Sequence, residues 1–178
     1  MVANARDLAL ATAEGSGVGS ALMQRLELTD AKLETLASGV EQLAHMAEPL
    51  GQVRKRTELA DGMELTQVSV PIGVVLIVFE SRPDSLPQIA SLALRSANGL
   101  LLKGGKEASH SNACLHGVVV DALFDATQGR VGREVIGLVT SRDEVSDLLR
   151  LDGEIDLVSE RLSTRCMDQL PVLLLIRE

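Results

Sequence analysis

Two short stretches of this 178-residue chain carry side chains suited to holding an anion, and each directly follows an apolar run. Glu80-Ser81-Arg82-Pro83-Asp84 comes after Gly73 to Phe79, and Lys103-Gly104-Gly105-Lys106-Glu107 after Leu100 to Leu102. An ammonium at the end of a strand suits a phosphate electrostatically, which makes Lys103 a candidate ligand; the plain alternative is a solvated lysine. Gly104 and Gly105 would let backbone approach a ligand closely, or would simply make a turn. Lys106 and Glu107 are weaker candidates, since a charged pair opening a helix is commonly a solvated face. Arg82 offers a planar fork to a phosphate or carboxylate. Its equal alternative is a structural salt bridge, and Glu80 is placed in sequence to orient it.

The other reactive side chains are less suggestive. Cys114 and Cys166 form no CxxC pair and have no clustered histidines, which argues against a zinc site and leaves both expected to be reduced. Cys114 lies in a helical pattern and is expected to be a small core residue. His116 is two positions on, so on a helix the two side chains diverge and make no Cys-His dyad. Gly15, Gly17 and Gly19 follow a helical pattern rather than a strand, which marks a loop and not a dinucleotide turn.

A net charge of −8 repels a phosphate backbone and argues against nucleic acid as a partner. No apolar run approaches the roughly 20 residues of a membrane-spanning helix, and the first residues lack a signal-peptide core, so the cytoplasm is the expected compartment. With 46% hydrophobic residues but two Phe and no Tyr or Trp, the core must rest on Leu, Val, Ile and Ala.

The elements that must position the two stretches follow from periodicity. An Ala- and Leu-rich helix runs to Ala13. A second helix, capped by Thr29 or Asp30, carries Leu33, Leu36, Ala37, Val40, Leu43 and Ala44 at helical spacing and ends before Pro49 and Gly51. Val53 to Leu59 and Met63 to Val70 read as strands joined by Ala60-Asp61-Gly62, a β-hairpin. From Gly73 the pattern alternates: strand to Phe79, helix over Ser85 to Ala97, strand Leu100 to Lys103, helix Ser109 to Ala126, strand Val135 to Thr140. A short helix over Arg142 to Arg150, capped by Ser141, and a strand from Ile155 complete it. This βαβαβ succession predicts an α/β fold with a parallel sheet, whose ligands sit at the carboxyl ends of the strands.

The stretch Val70-Pro71-Ile72-Gly73-Val74-Val75-Leu76-Ile77-Val78-Phe79-Glu80-Ser81-Arg82-Pro83-Asp84 resembles the gamma-glutamyl phosphate reductase (glutamate-5-semialdehyde dehydrogenase) family. Leu100 to Ala108 does so too, with Pro87-Gln88-Ile89-Ala90 and Ser96-Ala97-Asn98-Gly99 between. In wording the chain is most similar to the reductase half of the bifunctional pyrroline-5-carboxylate synthases of plants and algae, where a glutamate kinase domain precedes it. The resemblance implies a partial aldehyde-dehydrogenase-like fold: N-terminal helices over residues 1–52, a β-hairpin flap for homo-oligomerisation over 53–70, and a partial Rossmann-like dinucleotide-binding domain over 71–158. It implies NADPH-dependent reduction of L-glutamate 5-phosphate to glutamate 5-semialdehyde in proline biosynthesis. A cysteine thiolate displaces phosphate, and the resulting thioester accepts hydride. Lys103, Gly104, Gly105, Lys106 and Glu107 are the implied cofactor-binding residues, and Ser81 and Arg82 the implied substrate-binding ones. Ser81 stands where many members of the superfamily place an oxyanion-hole asparagine.

The resemblance ends after Val158, where the family has a Pro-Arg-Gly-Ser stretch and this chain has Ser159-Glu160-Arg161-Leu162. Residues 159–178 are a divergent tail, reached by deletion or by a shifted or mis-spliced frame. The family's nucleophilic cysteine belongs to a later catalytic domain, so no catalytic residue is expected in this chain and it is expected to be inactive alone. The alternatives are a non-catalytic dinucleotide-binding or oligomerisation module, or a truncated gene product.

Overall fold

The structure is a computed structural model that describes residues 1–13, 20–141, 144, 147–148, 150 and 153–160. Three helices open the chain: α1 (Val2–Ala13), α2 (Ser20–Leu26) and α3 (Asp30–His45). Thr29 caps α3 as its type and position predict, its Oγ1 accepting from the Lys32 amide at 3.2 Å. α2 is the element that the sequence reading did not anticipate, because seven residues carry too few turns to show a period. The loop expected around Gly15 to Gly19 lies outside the described residues.

Arg95 of the next helix fastens the far end of α3, pairing with Glu48 at 2.9 Å and donating to the Met46 carbonyl. The hairpin follows: β1 (Val53–Ala60) and β2 (Met63–Val68) pair antiparallel, with Gly62 at φ +75° closing the turn that Asp61-Gly62 predicts. All its residues are exposed except the half-buried Thr57, so the hairpin stands away from the rest of the described chain on both faces.

The remaining elements are β3 (Val74–Val78), α4 (Ser85–Arg95), β4 (Gly99–Lys103), α5 (Ser109–Ala126), β5 (Ile136–Val139) and β6 (Leu157–Glu160). The four strands form one parallel sheet in the order β5-β4-β3-β6, the α/β architecture that the alternation predicts. β3 and β4 run in register from Val74 against Gly99 to Val78 against Lys103, so their carboxyl ends are level. Side chains alternate across the sheet. Ile77, Phe79, Leu100, Leu102, Ile136 and Leu138 pack with Leu86, Ala90 and Ala93 of α4 and Val120 of α5 in the main core. Lys103, next in alternation to Leu102, faces the other way.

A second, smaller core joins the N-terminal helices to the sheet domain, with Ala11 and Leu26 closing on Ala108 just before α5. The helix expected over Arg142 to Arg150 lies largely outside the described residues, but its start is visible. Ser141 Oγ accepts from the Glu144 amide at 3.0 Å, and the Glu144 carboxylate accepts from the Thr140 amide at 3.0 Å. These amide bonds, Thr140 first and Ser141 second, hold the Glu144 carboxyl below its ordinary value.

Candidate functional site

The level strand ends bring the two anion-suited loops side by side. The Phe79 amide donates to the Lys103 carbonyl at 2.9 Å, carrying the pairing one residue past the β3 strand. Beyond it Ser81 Oγ reaches the Glu107 carboxylate at 3.5 Å. Gly105 lies against the same serine: a Cβ there would stand 3.1 Å from the Ser81 amide nitrogen and 2.5 Å from Glu107 Oε2. Ser81, Gly104, Gly105 and Glu107 therefore share one rim of the sheet, and the close approach of Ser81 and Glu107 leaves no room for a side chain at Gly105.

Lys103 is 7% exposed, and its Nζ donates to the Gly104 carbonyl at 2.6 Å. A solvated lysine does not describe it; its ammonium is held at the strand end under the glycine pair. Lys106 and Glu107 are exposed, at the start of a 3-10 turn (Lys106–Ala108) that runs into α5. Arg82 is exposed too, and among the described residues neither it nor Glu80 makes an ion pair, so Glu80 does not orient Arg82.

Free amides at a helix N-terminus attract anions, but at α5 that place is taken by a residue of the chain itself. Asp7 of α1, 2% exposed, accepts from the Ser111 amide at 2.7 Å and Ser111 Oγ at 2.6 Å. It also accepts from the His110 amide at 3.1 Å and its Nδ1 at 2.8 Å. Burial pushes the Asp7 carboxyl up, and the bonds from Ser111 and then His110 together outweigh it, holding the group below its ordinary value. Asn4, one turn earlier on α1, donates to Ser111 Oγ at 3.1 Å and to the Leu26 carbonyl at 2.7 Å. The His110 and Ser111 amides are therefore already taken by Asp7.

Sequence reasoning missed Asp7, Asn4 and Asn112. Asp7 pairs with residues about a hundred positions away, and Asn4 with Ser111 at a similar separation and with Leu26 and Leu28 more than twenty positions on, so neither leaves a local signal. Asn112 sits in the first turn of α5, 3% exposed, with a buried Oδ1 that has no hydrogen-bond partner among the described residues. It packs under the glycine loop, where a Cβ on Gly104 would collide with its Nδ2 and come within 3.3 Å of Phe79 Cζ.

One expectation is corrected. Cys114 is exposed, not in the core, because α5 turns Ser111, Asn112 and Val120 inward and leaves position 114 on the outer face. His116 bonds the Ile136 carbonyl through Nε2 at 2.8 Å and so serves the sheet. Cys166 lies outside the described residues. Among the described residues no group of three or more His, Cys, Asp or Glu could hold a metal ion, and no helix is long and apolar enough to cross a membrane.

This geometry defines the class: a parallel α/β unit with a glycine- and lysine-bearing site at the carboxyl rim of its sheet. Comparison with known proteins narrows it. The chain is 53% identical over 164 residues to Delta-1-pyrroline-5-carboxylate synthase A of Arabidopsis thaliana, covering 92% of this chain and 22% of that protein. It is 43% identical over 161 residues to the gamma-glutamyl phosphate reductase of Prochlorococcus marinus, covering 90% of this chain and 36% of that one. The crystal structure of gamma-glutamyl phosphate reductase from Saccharomyces cerevisiae superposes with a TM-score of 0.80 at 38% identity, over 91% of this chain and 40% of that one. No protein-family model matches the chain. The chain belongs to the gamma-glutamyl phosphate reductase family, and it spans about a fifth of the curated synthases and a third of the curated reductases that it matches.

Proposed function

We propose that this chain is the part of an NADPH-dependent gamma-glutamyl phosphate reductase that carries the nucleotide, acting in the cytoplasm on L-glutamate 5-phosphate in proline biosynthesis. The observation that carries the reading is the convergence of Ser81, Gly105 and Glu107 on one rim, with the Lys103 ammonium held beneath Gly104. The residues fit a dinucleotide. Gly105 keeps side-chain volume out of the rim, a buried ammonium offers charge to a phosphate, and Glu107 offers a carboxylate to sugar hydroxyls.

Lys103 and Lys106 would hold phosphate, Gly104 and Gly105 would admit it, and Glu107 would take a ribose hydroxyl. When bound, the dinucleotide supplies hydride. Ser81 keeps a hydroxyl on the side of the rim facing the next loop, where it can donate to a carbonyl oxygen as negative charge develops there. Arg82, exposed and unpaired among the described residues, presents its fork to the phosphate or the carboxylate of the substrate. The family's nucleophile is not among these groups, so the chain alone binds without turnover.

Titration of the purified chain with NADPH tests this. Saturable binding is expected, with no glutamate 5-semialdehyde formed from L-glutamate 5-phosphate. Absence of binding refutes the nucleotide reading, and semialdehyde production refutes the claim that chemistry needs residues outside the chain.

A second role has its own support. The hairpin exposes Val53, Leu59, Met63, Leu65 and Val68 by 46% to 60%, and as a two-stranded ribbon it has no strand partner on either outer edge among the described residues. Such a ribbon is marginal alone, which favours its use as a homo-oligomerisation flap. Sedimentation of the chain with and without residues 53–68 decides this: a concentration-dependent species that disappears on deletion supports it, and an unchanged profile refutes it.

A further inference from the structure

Between the starts of α3 and α4 lies a pocket of about 260 Å³, lined by Ala31, Lys32, Thr35 and Leu36 on one side and by Asp84 and Gln88 on the other. Its acid has no donor within the fold. Asp84 stands at the N-cap of α4, where a carboxylate ordinarily accepts from the amides of the first turn. Here its backbone is helical, at φ −60° and ψ −23°, and its side chain makes no cap bond. The amides it would have used are spent or missing: Leu86 donates to the Pro83 carbonyl at 3.3 Å, and Pro87 has no N–H. Among the described residues Asp84 makes no ion pair, and its Oδ1 is buried without a hydrogen-bond partner. A half-buried carboxylate left in this way carries a desolvation cost that a cationic donor offsets.

The pocket also supplies the opposite charge. Lys32 Nζ donates to the Gln24 and Glu27 carbonyls at 2.8 and 2.6 Å, which fixes the ammonium and uses two of its three donors. Thr35 and Gln88 add a hydroxyl and an amide to the lining. A hard metal ion wants several oxygen ligands at once, and this lining offers one carboxylate. A carboxylate and an ammonium bordering one small space match an α-amino acid group, which carries both charges on a single carbon. We propose that this pocket holds the amino-acid end of the substrate, Asp84 accepting from its α-ammonium and Lys32 and Gln88 donating to its α-carboxylate. The volume suits such a group, since drug-sized ligands take roughly 300–1,000 Å³ and an amino acid is smaller. Asp84 follows Arg82 by two residues on the loop that carries Ser81, so the reacting end of the same molecule points toward that loop and Arg82 is left for the phosphate.

The inference rests on the substrate named above, and the test separates it from the nucleotide reading. Calorimetric titration of the 178-residue chain uses L-glutamate, which keeps the amino-acid end, and glutarate, which is the same carbon chain without the ammonium. L-glutamate is expected to bind saturably and glutarate about tenfold or more weakly, the share of one hydrogen bond between charged groups. Asp84→Asn should weaken L-glutamate by a similar factor and leave glutarate no weaker. Equal affinity of the wild type for the two compounds, or no binding of L-glutamate, overturns the proposal. So does a folded Asp84→Asn variant that binds L-glutamate as tightly as the wild type does. If the variant folds poorly, discrimination against glutarate by the wild type decides alone. NADPH is titrated separately into the wild type. A chain that binds L-glutamate selectively but not NADPH overturns the nucleotide reading and sustains the pocket, whereas one that binds NADPH but not L-glutamate overturns the pocket alone.

Discussion

Replacing Asp7 by Asn tests how the N-terminal helices are held to the sheet domain. Asp7 is 2% exposed and takes four hydrogen bonds, two from Ser111 and two from His110. Asparagine keeps one oxygen and presents an amino group in place of the other. Facing Ser111, that group opposes the backbone N–H, while the hydroxyl can rotate to accept; facing His110, it opposes the backbone N–H, while Nδ1 can accept in the other tautomer. At least one buried donor loses its partner either way, at about 1–3 kcal/mol. Losing the negative charge at the α5 N-terminus adds roughly 0.3–1 kcal/mol.

The sum, about 1–4 kcal/mol, is a sizeable share of the roughly 5–15 kcal/mol that stabilises a typical domain. Urea denaturation at pH 7 is therefore expected to show a midpoint lower by about 0.5–2 M. The pH dependence has a definite sign. The folded carboxyl lies below its ordinary value of 3.8, so the unfolded chain binds the proton first on acidification. The difference between wild type and Asp7→Asn should hold steady from pH 7 to about 4 and narrow as pH falls further through the folded value. A difference below about 0.5 kcal/mol at pH 7, within the range of an ordinary surface substitution, or one that widens in acid, would refute the anchoring role.

Lys103→Met should weaken NADPH by tenfold or more in a fluorescence titration and should flatten the salt dependence of binding, because a strand-end cation is removed. Gly104→Ala puts a methyl group onto Asn112 and is expected to lower stability by about 1–3 kcal/mol. The Gly104→Ala, Asn112→Ala pair should recover most of that in a double-mutant cycle, and simple additivity would show that the two residues do not touch. Asn98→Ala removes the acceptor of the Ile72 and Gly73 amides at 2.7 and 3.0 Å, so thermal unfolding should reveal a loss of about 1–3 kcal/mol. Leu65→Ser, on the exposed hairpin, should leave monomer stability within about 0.5 kcal/mol while reducing any self-association seen by sedimentation.

Periodicity and punctuation alone located β3, β4, β5, α3, α4 and α5, because each carries its own signal in consecutive residues. Val74 to Val78 is apolar throughout, Thr29 sits at a cap, and Asp61-Gly62 forms a turn. The same local chemistry marked Lys103 and the glycine pair as candidates at a strand end. Tertiary structure decided what depends on distant residues coming together. The register of β3 on β4 sets Ser81 beside Glu107, and docking of α1 puts Asp7 on the α5 amides. The turn of α5 buries Asn112 and exposes Cys114. The physical reason is range. Backbone propensity and capping act over a few residues and can be read along the chain. Burial and long-range hydrogen bonds depend on which surfaces close on each other, and a helix pattern shows that a face is apolar without showing what will cover it.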